Sequence, residues 1–157
     1  SVKRFREFAF AAKILLLLFL LMTAGTFFLG ARLYRADMSY QASLKATRVN
    51  DEARIERAKE AAGLNPWQAE YKMLLAQLHL QKALDELQKP ESSRNQEEVS
   101  RDVQLALAYA RGDTLDGIRI VGATELSPNK VASWETLGAV YRDIKVAPNF
   151  FSSIIMS

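Results

Sequence analysis

The chain has no cysteine, a single histidine and only four prolines in its 157 residues. Without cysteine there is neither a disulfide framework nor a thiolate metal site, and His79 alone cannot complete a two-histidine zinc motif. No glycine-rich phosphate loop and no nucleophile elbow occur. These absences exclude the enzyme classes recognisable by a local motif, so no catalytic residue, metal or cofactor is expected. The acidic neighbours Asp85-Glu86 and Glu97-Glu98 read as solvated helix surface, because adjacent residues on a helix point to different faces. His79 reads as a packing residue.

Charge is missing altogether from residues 14–31. As a helix this run covers about 27 Å, close to the roughly 30 Å hydrocarbon core of a bilayer. The preceding Lys3, Arg4, Arg6 and Lys13, interleaved with Phe5, Phe8 and Phe10, have the composition of a segment at lipid headgroups. Residues 1–31 therefore read as a basic flank and transmembrane anchor, with the lipid bilayer as partner of residues 14–31. A cleaved signal peptide is the rival, with Thr23-Ala24-Gly25 as its small-residue site. Continuation of the apolar run through Phe27, Phe28 and Leu29 favours a retained anchor. Four basic residues lie near each end of the run, but the N-terminal cluster is nearer, which places that end in the cytoplasm and residues 32–157 outside it.

Once this run is set aside, the basic excess disappears. Residues 1–35 hold six Lys or Arg against Glu7, whereas residues 36–157 hold 15 basic and 17 acidic groups. A polyanion needs clustered, uncompensated cations, so nucleic acid is excluded as a partner of the soluble part.

Neither proline nor glycine interrupts residues 32–62, and the spanning helix is expected to run on into the first soluble one. Gly63 is expected as a left-handed helix C-cap, with Asn65-Pro66 as the stop. Residues 67–88 predict a helix covered on two faces, carrying Tyr71, Leu74, Leu75 and Leu78 on one side and Leu80, Leu84 and Leu87 on the other. A polar loop follows. Asn95, with Glu98 three residues on, then signals a capping box opening a helix through Val103, Leu107 and Tyr109. Gly112, Asp113, Thr114 and Gly117 weaken the next stretch, which resumes as helix toward Pro128.

Trp134, Leu137, Gly138 and Tyr141 then form W-x2-L-G-x2-Y, and Pro128 stands six residues before the tryptophan. This pattern resembles the tetratricopeptide (TPR) repeat. Gly138 is expected to admit a neighbouring helix closely. An imperfect copy lies upstream: Ala61, Leu64 and Pro66 match Ala123, Leu126 and Pro128, while Leu75, Ala76 and His79 match Leu137, Gly138 and Tyr141. The two prolines are 62 residues apart rather than the 34 of a standard repeat, so either the intervening helices are lengthened or a turn lies at Gly112. Asp116 departs from the pattern where a small alanine is expected. The resemblance implies an all-α protein, an N-terminal transmembrane helix followed by an antiparallel TPR-like helical hairpin array over residues 32–157. Phe150, Phe151, Ile154 and Ile155 would begin a further helix, so the repeat domain is expected to be incomplete at its C-terminal end.

By the family's pattern the first helix of each repeat lines a concave face. Met73, Gln77, Gln81, Glu135, Ala139, Arg142 and Asp143 are thus the candidates for holding a protein or peptide. The expected function is a membrane-tethered interaction or scaffolding module. The alternative rests on L-N-P-W-Q-A-E-Y at 64–71 and L-S-P-N-K-V-A-S-W at 126–134 behind a spanning helix. Together these are similar to the non-catalytic repeat tails of bacterial O-antigen ligase or polymerase-type membrane proteins.

Overall fold

The structure is a computed structural model and describes residues 2–46 and 51–145. It is all-α apart from one small hairpin: α1 (Val2–Lys45), α2 (Asp51–Leu64), α3 (Ala69–Gln88), α4 (Gln96–Arg111), β1 (Asp113–Leu115), β2 (Ile118–Ile120), α5 (Ala123–Leu126) and α6 (Val131–Lys145).

The long first helix changes character along its length. Its most apolar 18-residue window has a mean hydropathy of 2.4, and none of that window is buried by the rest of the chain. Among the described residues, it is the one helix long and apolar enough to cross a membrane. Past Arg32 the helix continues unbroken, but one face becomes small and buried, with Ala36, Ser39 and Ser43 packed on α2. Small side chains let the two backbones approach, and the polar ones are satisfied across the seam. Ser43 Oγ donates to the Arg54 carbonyl at 2.8 Å, Ser39 Oγ donates to Glu60 at 2.9 Å, and Arg32 Nη2 donates to the Gly63 carbonyl at 3.2 Å. These contacts step down α1 as they step up α2, so the two helices form an antiparallel hairpin.

The α3–α4 pair repeats that geometry. Asn95 N–H donates to Glu86 Oε1, Lys82 meets Glu98, His79 meets Asp102, and the Lys72 ammonium lies over the Tyr109 ring, again in opposite order along the two helices. One apolar cluster lies between α1, α2 and α3 around Ile55, Tyr71, Leu75 and Leu78. The other lies between α3, α4 and α6 around Leu80, Val99, Val103, Leu107, Val140 and Ile144. Two-sided burial of α3, expected from its sequence, arises because both clusters use it.

Several boundaries differ from expectation. The first helix extends to Lys45 and α2 is a separate element; residues 47–50 lie outside the described residues. Gly63 is not a left-handed cap, since α2 continues to Leu64 and no positive φ occurs there. Trp67 is in the turn ahead of α3, which opens at Ala69.

The largest correction falls after Gly112, where a resumed helix was expected. Asp116 and Gly117, with φ of 51° and 76°, form a two-residue turn of the mirror-image type that suits a right-twisted hairpin. Asp113, Thr114 and Leu115 accordingly pair antiparallel with Ile120, Arg119 and Ile118. At the hairpin's base a Cβ on Gly122 would stand 2.1 Å from the Gly112 nitrogen, so only glycine lets the chain close there. The departure at Asp116 thus reflects a turn, and of the helix expected before Pro128 only the single turn Ala123–Leu126 remains.

The two copies of the repeat signature are also placed differently. Leu75 and Ala76 are fully buried on α3, whereas Trp134 and Gly138 are exposed on α6 and Leu137 and Tyr141 are half-buried. A Cβ added to Gly138 meets nothing within 4 Å, so the expected close helix approach is not made there. The reason is position: α3 is flanked on both sides, while α6 is the last described helix and packs on α3 and α4 through one side. Pro66 and Pro128 lie exposed in the turns before α3 and α6, and Ala123 is buried. The apolar group Phe150, Phe151, Ile154 and Ile155 lies outside the described residues.

Candidate functional site

α3 and α6 run in the same direction, and between them lies a groove of about 380 Å3. Glu70, Met73, Leu74 and Gln77 of α3 face Ala132, Glu135, Thr136 and Ala139 of α6, and Tyr40 and Leu44 of α1 close the remaining side. Spacing explains the lining: residues three and four apart share a helix face, so Met73 and Gln77 form one wall and Ala132, Glu135 and Ala139 the other. Its volume is at the lower end of the range for sites that accept ligands.

Of the seven residues expected to line a concave face, four meet here: Met73, Gln77, Glu135 and Ala139. Gln81 is half-buried one turn further along α3 and does not line the groove. Arg142 is exposed beyond its far end, its Nε 3.4 Å from Asp143 Oδ1, and neither residue reaches the cavity. The wall contributed by α1 was not anticipated. A signal for it existed, because the small residues Ala36, Ser39 and Ser43 mark the face that α1 gives to α2 and leave Tyr40 and Leu44 beside it.

The groove lining combines apolar side chains with two carboxylates, Glu70 and Glu135. Glu70 is engaged by the Lys130 ammonium, whose hydrogen bond holds the Glu70 carboxyl below the usual carboxylate range. Glu135 is exposed and makes no ion pair among the described residues. A ligand entering here therefore meets methionine, leucine and alanine side chains together with one carboxylate open to a cation.

A second cluster lies between α3 and α4. His79 is 3 % exposed, its Nδ1 stands 2.7 Å from Asp102 Oδ1, and its ring stacks on Tyr109 with centroids 5.8 Å apart. Lys82 bonds to Glu98 at 2.7 Å and lies 3.5 Å from the other Asp102 oxygen; the bond to Glu98 is the chief reason that its pKa is raised. A histidine–aspartate pair can serve a nucleophile, but the cavity of about 380 Å3 over this one is otherwise lined by Lys59, Lys82, Asn95, Glu97, Glu98, Arg101 and Leu105, with no serine, threonine or cysteine. The pair packs α3 on α4. Sequence reading identified His79 as structural yet missed Asp102, because a contact across 23 positions leaves no local trace.

Of the four acidic neighbours, Asp85 and Glu97 are exposed as expected, whereas Glu98 pairs with Lys82 and Glu86 is structural. Glu86 is buried, pairs with Lys89 and accepts the Asn95 N–H; the Lys89 bond is the larger cause of its lowered pKa. Asn95 in turn caps α4, its side-chain oxygen accepting from Glu98 N–H at 3.2 Å. Among the described residues no group of three or more histidine, cysteine or acidic side chains is arranged to hold a metal.

No family model matches the chain, and no curated protein or solved structure matches it.

Proposed function

We propose that this chain is a membrane-tethered helical-repeat module that holds a protein segment in the groove between α1, α3 and α6. Residues 14–31 act as a retained span, and the helical domain stands on the extracytoplasmic side. The observation that carries the reading is convergence: Met73 and Gln77 from one signature-bearing helix meet Glu135 and Ala139 from the other. The uncovered apolar stretch of α1 supports the tether, and Lys3, Arg4, Arg6 and Lys13 before it support the orientation.

The lining defines the partner's chemistry. An apolar side chain fits against Met73, Leu74 and Leu44, and an adjacent lysine or arginine fits opposite Glu135. The purified full chain in nanodiscs, screened against a displayed random-peptide library, should select segments pairing an apolar with a basic residue. Glu135→Lys should weaken the selected peptides at least about tenfold, since reversing a charge at a contact costs more than 1.4 kcal/mol. Peptides that bind Glu135→Lys and Ala139→Arg as well as the unchanged chain would place binding elsewhere. Orientation has a clean test because the chain lacks cysteine. A single cysteine introduced at Gln77 should react in intact cells with a membrane-impermeant maleimide, and labelling only after lysis would reverse the assignment.

A further inference from the structure

The chain has two tryptophans, and both are exposed: Trp67 at 80 % and Trp134 at 53 %. Their settings differ. Trp134 Nε1 donates to the Pro128 carbonyl at 2.7 Å, whereas the Trp67 indole N–H donates to no group among the described residues. An indole exposed on its apolar body, with its N–H free of any acceptor among the described residues, is suited to a place where one side is apolar and the other wet.

The fold sets the height of each tryptophan's backbone relative to the apolar run. Arg32, the first residue after that run, donates to the carbonyl of Gly63, which leads into the turn carrying Trp67. On the other side of the turn the Tyr71 ring meets the Tyr40 ring, with centroids 5.0 Å apart, and α3 leaves this contact in the same direction as α1. Trp67 is four residues before Tyr71, so it stands about one turn nearer the run than Tyr40. The two ties bracket it between the levels of Arg32 and Ala36. At 1.5 Å per residue this is within about 7 Å of Ala31, the depth of one headgroup layer, taken as half the difference between a hydrocarbon core of about 30 Å and a bilayer of about 40–45 Å. Trp134 belongs to the helix whose Ala132 and Glu135 face Tyr40 and Leu44. That places its backbone about 13–20 Å beyond Ala31, outside the layer, with the ring turned back toward Pro128.

We infer that the turn before α3 is a membrane-contact site: Trp67 seats in the headgroup layer of the bilayer that α1 spans, with the Arg32 guanidinium, bonded to the Gly63 carbonyl, at the same edge of the apolar run for lipid phosphate. Trp134 stands in water. The contact gives the helical domain a second foothold, which restrains rotation about α1 and sets which way the groove faces. This rests on residues 14–31 being a retained span, and the two claims separate in one experiment.

Full-length single-tryptophan variants, Trp134→Phe to report on Trp67 and Trp67→Phe to report on Trp134, are reconstituted into phosphatidylcholine–phosphatidylglycerol vesicles. Flotation after an alkaline wash reads the span. Quenching by lipids brominated high on the acyl chain, against quenching by aqueous acrylamide, reads the height of each ring. Trp67 should be quenched by brominated lipid at least about twofold more than Trp134, with bluer emission, because an interfacial indole borders the acyl region. Acrylamide should show the opposite order. Protein that stays with the vesicles while brominated lipid quenches neither ring, or both equally, overturns the assignment of Trp67 alone. Trp67 shielded from both quenchers points to a protein contact and also overturns it. Protein released from the vesicles by the wash overturns the span, and the contact with it.

Discussion

Replacing Gly138 with alanine should stabilise the helical domain. Gly138 is at the middle of α6, exposed, with a negative φ and with 4 Å of open space around the position a Cβ would take. No packing term opposes the substitution, so the backbone term decides. Glycine is less favourable than alanine in a helix interior by about 0.8–1.0 kcal/mol, chiefly because the unfolded chain loses more freedom at glycine. For a domain of this size that gain raises the melting midpoint by roughly 3–6 °C. The aligned position in the other copy gives the contrast: Ala76 is fully buried on α3, and Ala76→Leu should cost about 1–3 kcal/mol by overpacking, whereas Gly138→Leu should cost nothing. Thermal melts of the full chain in detergent micelles, followed by circular dichroism and by Trp134 fluorescence, measure both. A lower midpoint for Gly138→Ala refutes the reasoning, because it means that another element covers this face of α6 and that the family pattern was the better guide.

Three further outcomes follow from the interior. Leu75→Ala, at a fully buried site on α3, should cost about 2–5 kcal/mol, and a midpoint within experimental error of the unchanged chain would deny α3 its two-sided role. Asp102→Ala should cost about 1–3 kcal/mol by leaving the buried imidazole without its acceptor, while adding His79→Phe should recover part of the loss; strict additivity of the two changes would show that the pair does not interact. Glu86 has a lowered pKa through Lys89 and the Asn95 N–H, so its stabilisation is present above the ordinary carboxylate pKa of about 4.3 and is lost as pH falls through the lower folded-state value. Denaturant unfolding of Glu86→Gln should therefore show a deficit at pH 7 that closes as the pH falls below the ordinary carboxylate range, and a deficit independent of pH would assign the effect to packing.

How much of this was legible depends on whether the signal is local. The uncharged run, the Asn95 cap and the two-faced helix 69–88 each declare themselves within a few residues, because hydration, an unsatisfied N–H and helical periodicity act over that range. The hairpin also had a local signal, Asp116-Gly117 between Thr-Leu and Ile-Arg-Ile, but aligning this stretch to a repeat helix hid it. Partners across the fold left no such trace. Asp102, the α1 wall of the groove and the different fates of Ala76 and Gly138 depend on which helices lie alongside, and that is set by tertiary packing. Four of the seven groove candidates, drawn from the family's pattern, do line it because each pair stands four residues apart on one helix face; Gln81, Arg142 and Asp143 were over-extended along the same helices.

An unbroken α1 has a mechanical consequence. Its 44 residues extend about 66 Å as one rod, with Tyr40 and Leu44 near one end forming a wall of the groove and the uncovered apolar stretch toward the other. A rod has no joint to absorb tilt. In a thinner bilayer a long apolar helix leans to keep its length covered, and the far end of such a lever sweeps sideways as it does so. With the span proposed above, α2 and α3, packed on that end, would be carried along with it, so the hydrophobic thickness of the host membrane would set the direction in which the groove faces.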